Sequence, residues 1–326
     1  GEIYSNPSIT NTQPAKQPFF SISEANPGNS KQMVAIDNKG TFGFEDARID
    51  QNKEDKDYND FVFQVAGLEG NAPSANDYIQ TNKDWRTSTT GQELLQYAQR
   101  PIYSTGTSKV GENGKMTFDF LYDGGWFQSE LAVFSLKGME NLTAGSDAFI
   151  KEAARRALSN SKDGYVLLKD ATEGAKFSEK AAWENNFNSG QYLGVKSFEM
   201  NAGDEFATML VQTVKVQDLF NNTTRFKQQA LFSVPELNPG GKPIGQMVSV
   251  DTNGTYAFED VRTDGTQSDR DYNDIIFQIK GAKGTSESMD RLYDPSRNWR
   301  KTETGKELLT YANRSVFDEG IFKVSE

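Results

Sequence analysis

Apolar and polar residues alternate over short stretches of this chain, and turn chemistry interrupts them every few residues. Met247-Val248-Ser249-Val250 and Thr255-Tyr256-Ala257-Phe258 place every second side chain on one face, the period of a half-buried strand. Between them Thr252-Asn253-Gly254 is a hairpin signal. The same pattern occurs earlier, predicting strands at 19–23, 32–37, 41–45 and 61–66 around the turn Asn38-Lys39-Gly40. Further strands are expected at 116–122, 130–136, 165–169, 194–200 and 205–211. Helical spacing is confined to three places. Residues 146–159 offer Ser146 as a cap, then Phe149, Ile150, Ala153, Ala154, Ala157 and Leu158 on one face. Thr90-Gly91-Gln92-Glu93 and Thr304-Gly305-Lys306-Glu307 have capping-box spacing and lead into Leu-Leu-x-Tyr-Ala, predicting two short helices. Together these elements predict a mainly β chain of antiparallel, jelly-roll-like β-sandwich repeats with a few short helices at the edges.

The two halves of that pattern are copies. Residues 32–100 align with 246–314 at a constant offset of 214 without a gap, and 31 of 69 positions are identical, so both segments should share one backbone. Residues between about 107 and 216 occur once. The expected organisation is a lead-in plus a first, partial unit at 1–100, a complete repeat at 101–314 and the start of another at 315–326. Within 101–314, a single-copy half at 101–230 precedes the second unit at 231–314. This is one and a half turns of a repeat, the pattern of a piece of a longer array.

Each copy carries a crowded acidic turn. The first has Glu45-Asp46 and then Asp55, Asp57, Asn59 and Asp60; the second has Glu259-Asp260 and then Asp269, Asp271, Asn273 and Asp274. Two carboxylates about 4 Å apart repel by roughly 4 kcal/mol even at an effective dielectric near 20. Several converging would rival a domain's whole stability of about 5–15 kcal/mol. Either they splay into water, pair with arginines such as Arg48 and Arg262, or surround a cation. The D-x-D-x-N spacing is that of a calcium loop, in which alternate side chains turn toward one point. It is not an EF-hand, because Asp60 and Asp274 stand where that loop needs Gly, and Ala66 and Lys280 where it needs Glu. The twelve acidic and amide residues named above are therefore the candidate metal ligands, with Asp50 and Asp264 as secondary ones and Tyr58 and Tyr272 expected to pack behind the loop. Asp119, Asp123 and Glu130 are a further candidate cation group. Asp84-Trp85-Arg86 and Asn298-Trp299-Arg300 suggest either sugar platforms or tryptophans that anchor the short helices.

Composition narrows the chemistry. The 326 residues include no Cys and no His, which removes disulfides, thiolate nucleophiles, imidazole bases and the usual zinc sites. A metal here must accept oxygen ligands, which favours Ca2+. The net charge of −11 disfavours nucleic acid as a partner. No apolar run approaches the roughly 20 residues needed to span a bilayer, so no transmembrane segment is expected. No spacing singles out an acid and a nucleophile for glycoside hydrolysis, so no enzyme is expected.

The stretch from Phe258 to Ile279, FEDVRTDGTQSDRDYNDIIFQI, resembles the signature of a bacterial, notably cyanobacterial, domain family of unknown function found in large secreted and adhesin-like repeat proteins. The likeness extends through Tyr165-Val166-Leu167-Leu168 and 188–196 to Met209-Leu210-Val211. It implies an extracellular, calcium-associated β-sandwich in which the acidic positions of both copies serve the metal. The first copy departs by Asn52-Lys53-Glu54 in place of Thr266-Gln267-Ser268. The expected function is a calcium-binding structural repeat of a secreted or cell-surface adhesin or matrix protein. A calcium-dependent lectin is the alternative, and glycans or neighbouring copies of the chain are the expected partners.

Overall fold

The computed structural model describes residues 18–38, 40–50, 55–65, 72–98, 103, 105–180, 183, 187–240, 244–314 and 321–323. The chain divides into two compact units, 1–102 and 103–326.

The first unit is a three-stranded antiparallel sheet of β1 (Met33–Ala35), β2 (Thr41–Phe44) and β3 (Phe61–Gln64) in that order. Helix α1 (Thr89–Ala98) follows. One face of the sheet closes over Val34, Ile36, Tyr58, Ala75 and Ile79, with Trp85 and Leu95 packed against them. On the other face Phe61, Phe63 and Phe42 stack in a row, and Phe61 remains 62% exposed.

The second unit is a sandwich of two sheets. One contains β4 (Ser108–Val110), β6 (Glu130–Ser135), β7 (Gly164–Lys169), β9 (Glu205–Val211), β10 (Ala230–Phe232) and β14 (Ala282–Gly284), in the order β14-β4-β9-β6-β7 with β10 also paired to β9. The other runs β11-β12-β13-β5-β8-β15, built from β5 (Lys115–Asp123), β8 (Val195–Glu199), β11 (Met247–Ser249), β12 (Thr255–Phe258), β13 (Ile275–Lys280) and β15 (Ile321–Lys323). Pairing is antiparallel except for β15 on β8. The expected sandwich class is therefore present, and the two strands 32–37 and 41–45 of the first copy align with β11 and β12 of the second.

Strand alternation builds the core. Met116, Phe118 and Phe120 of β5, Tyr256 and Phe258 of β12, and Phe277 of β13 meet Leu131, Val133, Phe206 and Leu210 from the opposite sheet. The outward residues of each sheet are covered by helices. Ala132, Phe134 and Met209 pack under α2 (Asp147–Leu158) and α3 (Val216–Asn221), while Val248, Ala257 and Ile276 pack under Met289, Trp299 and α5 (Glu303–Ala312). A one-turn helix α4 (Thr223–Phe226) lies between. The hairpin glycine Gly254 has φ +84° and no room for a Cβ, which would sit 2.2 Å from the Ile279 carbonyl oxygen.

Three expectations change. The segment 19–23 is not a strand, although its counterpart ends β10, because β10 pairs with β9 of the single-copy half and the first unit has no such neighbour among its described residues. The short helices are capped two residues earlier than the capping-box spacing implied: Thr302 Oγ1 accepts from the Gly305 amide and Ser88 Oγ from that of Gly91. Strands β4 and β14 and helices α3 and α4 were not expected, being too short or weakly periodic to stand out. The segments 66–71 and 315–320, parts of which were expected to be strand or repeat start, lie outside the described residues.

The two sheets predict unequal sensitivity at equivalent positions. Phe277→Ala should destabilise the second unit by about 3–5 kcal/mol, the cost of emptying a closed core. Phe63→Ala, at the matching place in the half-covered first unit, should cost less than half of that. Urea unfolding followed separately through reporters in each unit would check the difference.

Candidate metal centres

Each centre starts from a strand end. Glu45 and Glu259 follow β2 and β12, and both are fully buried. A buried amide holds the chain there: Gln246 Nε2 donates to the carbonyls of Glu259 and Val261 at 3.1 and 3.0 Å, and its Oε1 accepts from the Thr263 amide at 2.7 Å. Gln32 makes the same bonds to Glu45, Ala47 and Ile49 in the first copy. No pattern in the sequence marked these glutamines, apart from their standing at equivalent positions of the repeat.

The acidic loop then returns beneath the glutamate with an unusual backbone. Lys56 and Tyr58 have φ +52° and +56°, and Arg270 and Tyr272 have φ +54° and +53°. Left-handed backbone is uncommon outside glycine and costs on the order of 1–2 kcal/mol per residue. Here it alternates with the residues of the D-x-D-x-N motif, which lets the motif's side chains share one side. The glutamate fixes the arrangement, since Glu259 Oε1 accepts the Tyr272 amide at 2.6 Å and Glu45 Oε1 the Tyr58 amide at 2.5 Å. From behind, the Tyr272 hydroxyl donates to the Gly245 carbonyl and the Tyr58 hydroxyl to that of Lys31, both at 2.8 Å. The tyrosines thus pack as expected. The indole of Trp299 donates to the Tyr272 carbonyl at 3.1 Å, and that of Trp85 to the Asp57 carbonyl at 3.0 Å. These tryptophans brace the loop as well as the helix, and Trp299 is too buried to be a sugar platform.

Carboxylate oxygens of Glu259, Asp269 and Asp271 all lie within 4.8 Å of one another, and so do those of Glu45, Asp55 and Asp57. Ligands at calcium's 2.3–2.6 Å are at most about 5 Å apart across the ion, so both clusters can hold a metal ion of that kind. Asn273 and Asn59 border them, each donating its amide to the preceding Asp271 or Asp57 at 2.7 Å. Asp260 and Asp274 are drawn elsewhere. The Asp274 carboxylate accepts the Asp260 amide at 2.7 Å, and Asp60 accepts that of Asp46 at 2.9 Å. Glu259 and Asp260 are consecutive, so their side chains leave the strand on opposite faces.

The two copies differ in closure. Glu45 Oε2 is buried with no hydrogen-bond partner, whereas Glu259 Oε2 accepts from Ser268 Oγ at 2.5 Å. Glu54, at the equivalent place to Ser268, lies outside the described residues. Asp46 is exposed and the Asp55 side chain half open to water, while Asp271 and Asp260 are buried. Trp183 of the single-copy half donates its indole NH to Asp271 Oδ2 at 3.0 Å, and the first unit has no counterpart among its described residues. Arg48 and Arg262 are spent on Asp50 and Asp264, at 2.5 and 3.0 Å, which removes those two carboxylates from the centres. Arg297 pairs with Asp269, and Lys83 lies 3.9 Å from Asp55. Asp119, Asp123 and Glu130 do not form one group: Asp119 accepts the hydroxyls of Tyr192 and Tyr311 at 2.6 and 2.8 Å, and Glu130 the Val216 amide at 2.7 Å.

Burial dominates the electrostatics. It pushes Glu259 up to about 7, against the pull of Ser268 and the Tyr272 amide and with help from Asp269 and Asp260. Glu45 is likewise pushed up to about 7 by burial and by Asp60 and Asp57. Asp260 rises to about 6, and Asp274, enclosed beside Asp260 and Glu259, rises well above the usual carboxylate range.

Residues 1–67 and 200–282 match the family model described as Domain of unknown function (DUF4114). No curated protein matches the chain. No solved structure matches it either.

These raised values fix the pH response without metal. Such a carboxyl binds protons more readily folded than unfolded, so its contribution is fully present below the unfolded value near 4.5 and is lost as pH rises through about 7. For Glu259 that is roughly 3 kcal/mol, on the order of 10 °C in a unit this size. In chelator the thermal midpoint should fall between pH 4.5 and 7.5, and millimolar calcium should flatten the slope. Calorimetry across that range would check it.

Proposed function

We propose that this chain is a calcium-binding structural repeat of an extracellular surface, adhesin or matrix protein, with the ions stiffening the loops at the end of each sheet. The observation that supports it most is the convergence of three carboxylates within 4.8 Å in both copies, on loops with alternating left-handed residues. Strained backbone repeated at the same positions, beside a buried glutamate that burial disfavours as an anion, makes sense when a cation supplies the missing charge. Affinity of about 10⁻⁴–10⁻³ M would suffice, and such sites fill in the millimolar calcium outside cells. The net charge of −11 draws in divalent cations.

A second reading is a calcium-dependent carbohydrate-binding module. One observation favours it: Trp126 is 73% exposed and stacks on Phe187 at 5.8 Å, while the amide of the next residue, Phe127, binds Asp260. An open aromatic face beside a buried carboxylate that adjoins a candidate metal centre is a place where a sugar ring stacks. The exposed Phe61 of the first unit, whose counterpart Ile275 is buried, likewise fits a neighbouring copy of the chain as partner.

Calcium at one hundred times its dissociation constant should stabilise a unit by about 2.7 kcal/mol, roughly 5–10 °C in thermal midpoint for the second unit and about twice that for the smaller first one. Asp271→Asn should remove the share of the loop centre in the second unit, and Asp57→Asn that of the loop centre in the first. A calcium-independent midpoint in the wild-type chain would sink the proposal. Calcium-reversible glycan retention lost in Trp126→Ala would establish the carbohydrate reading, and indifference to glycans would remove it. Phe61→Ser should lower any concentration-dependent association seen by light scattering.

A further inference from the structure

A third set of carboxylates sits in the second unit, apart from the clusters around Glu45 and Glu259. Asp123 ends β5 in one sheet and Asp170 follows β7 in the other. Each owes its direction to an extra residue. Along β5 the register passes from Ile276↔Tyr122 to Phe277↔Phe120, leaving Leu121 over. Along β7 it passes from Leu131↔Leu168 to Ala132↔Val166, leaving Leu167 over. A bulge shifts the pleat by one, so the residues beyond it exchange faces. Leu121 and Tyr122 accordingly both pack outward, Leu167 and Leu168 both pack inward, and the two aspartates meet between the sheets. Asp260, two residues beyond the inward-facing Phe258, faces the same gap.

The gap is closed and short of donors. Asp123 is 4% exposed, Asp170 0% and Asp260 1%. Both oxygens of Asp123, and Oδ1 of Asp170, are shut off from solvent with no hydrogen-bond partner. The side chain that Asp123 faces at hydrogen-bonding range is Asp170, another carboxylate, and Asp260 adds its charge to both. The donors supplied are backbone amides: Phe127 to Asp260 Oδ2 at 2.9 Å, with the Trp126 amide also directed at Asp260, and Ser129 to Asp170 Oδ2 at 3.3 Å. The Gly125 amide beside Asp123 already donates to the Asp274 carbonyl at 3.1 Å. Gly125 itself has no room for a side chain, since a Cβ would lie 2.6 Å from Asp260 Oδ2. Lys196, near Asp170's neighbour Glu173, is committed to Glu173 at 2.5 Å.

A buried carboxylate without a counter-charge costs several kcal/mol. One shared proton would serve Asp123 and Asp170 and leave Asp260 charged; a divalent ion would serve all three. The geometry points to a further divalent-cation site between the two sheets, held by Asp123 and Asp170 with the charge of Asp260 beside them, for a hard, oxygen-seeking ion of the calcium class. It joins the single-copy half to the repeated unit, which gives it a different role from the loop centres. The first unit offers no equivalent: Asp46 is exposed there, and nothing corresponding to Asp123 or Asp170 faces it among the described residues. The site extends the proposed function but depends on its own residues.

The test is calcium stoichiometry on the full chain, by calorimetric titration into chelated protein. The wild-type chain should bind three ions, and Asp123→Asn and Asp170→Asn should each bind two, with the remaining affinities changed less than about twofold. Asp271→Asn should also bind two, having lost a different ion, and Asp123→Asn/Asp271→Asn one. In chelator Asp123→Asn should melt at or above wild type, because it removes a buried charge and keeps the side chain's shape; with calcium it should gain less. Wild-type stoichiometry in Asp123→Asn, with loss of an ion in Asp271→Asn, would overturn this site and leave the loop centres standing. Two ions in the wild-type chain would overturn it as well. No calcium bound by any form would overturn both.

Discussion

The rest of each unit depends on one contact, a buried glutamate at a strand end accepting the amide of a tyrosine held in left-handed backbone. Glu259 with Tyr272, and Glu45 with Tyr58, join a strand to a loop that would otherwise have no reason to fold back. The contact needs the glutamate inside, and the inside disfavours its charge. The bracing groups around it answer that conflict in part. Gln246 grips the carbonyls on either side, Tyr272 and Trp299 pin the loop from behind, and Ser268 offers a hydroxyl. None of these is a cation. What they achieve is a fixed frame in which Glu259, Asp269 and Asp271 stay close enough to share one.

The two copies show what the frame needs from elsewhere. Their sequences prescribe the same strands, loop and helix, and the first unit builds them with Val34, Ile36 and Tyr58 as its core. The single-copy segment makes the difference. In the second unit it supplies a sheet that buries Ile275 and Phe277, an indole that reaches Asp271, and the aspartates that face Asp260. Without that cover in the first unit, Phe61 and Asp46 are exposed. The same residues are thus core and centre in one context and surface in the other.

Much of this was legible beforehand because local signals and tertiary structure agree. Alternation gave β11 and β12, the Ser146 cap and apolar stripe gave α2, and the D-x-D-x-N spacing gave the carboxylates that meet. What was not legible depended on partners distant in sequence. Asp260 and Asp274 were grouped with the loop ligands because they adjoin them, yet pleat parity sends Asp260 to the other face. Asp170 lacked any motif, and Asp123 was grouped with Asp119 and Glu130 by strand proximity alone. Two bulges, at Leu121 and Leu167, decide which aspartates meet, and a bulge leaves no mark in the alternation of such uniformly apolar strands. The buried glutamines were invisible for a similar reason, since an amide's partners are carbonyls that any residue carries.

The contrast between copies also bears on what an ion would do in each. In the first unit the Asp55 side chain is half open to water and Asp57 only half-buried, so their charges can swing toward water and the cluster can relax without metal. Only Glu45 is trapped, and protonation near neutral pH relieves it. In the second unit Glu259, Asp260, Asp271, Asp123 and Asp170 are all enclosed by two sheets and a helix layer, and relaxing them means opening the sandwich. The cost of charge is then part of the cost of folding. An ion would therefore stiffen the first unit locally but would couple to the global stability of the second. On this argument the single-copy segment does more than cover an apolar face: it converts an optional metal loop into a fold that a bound cation would hold shut.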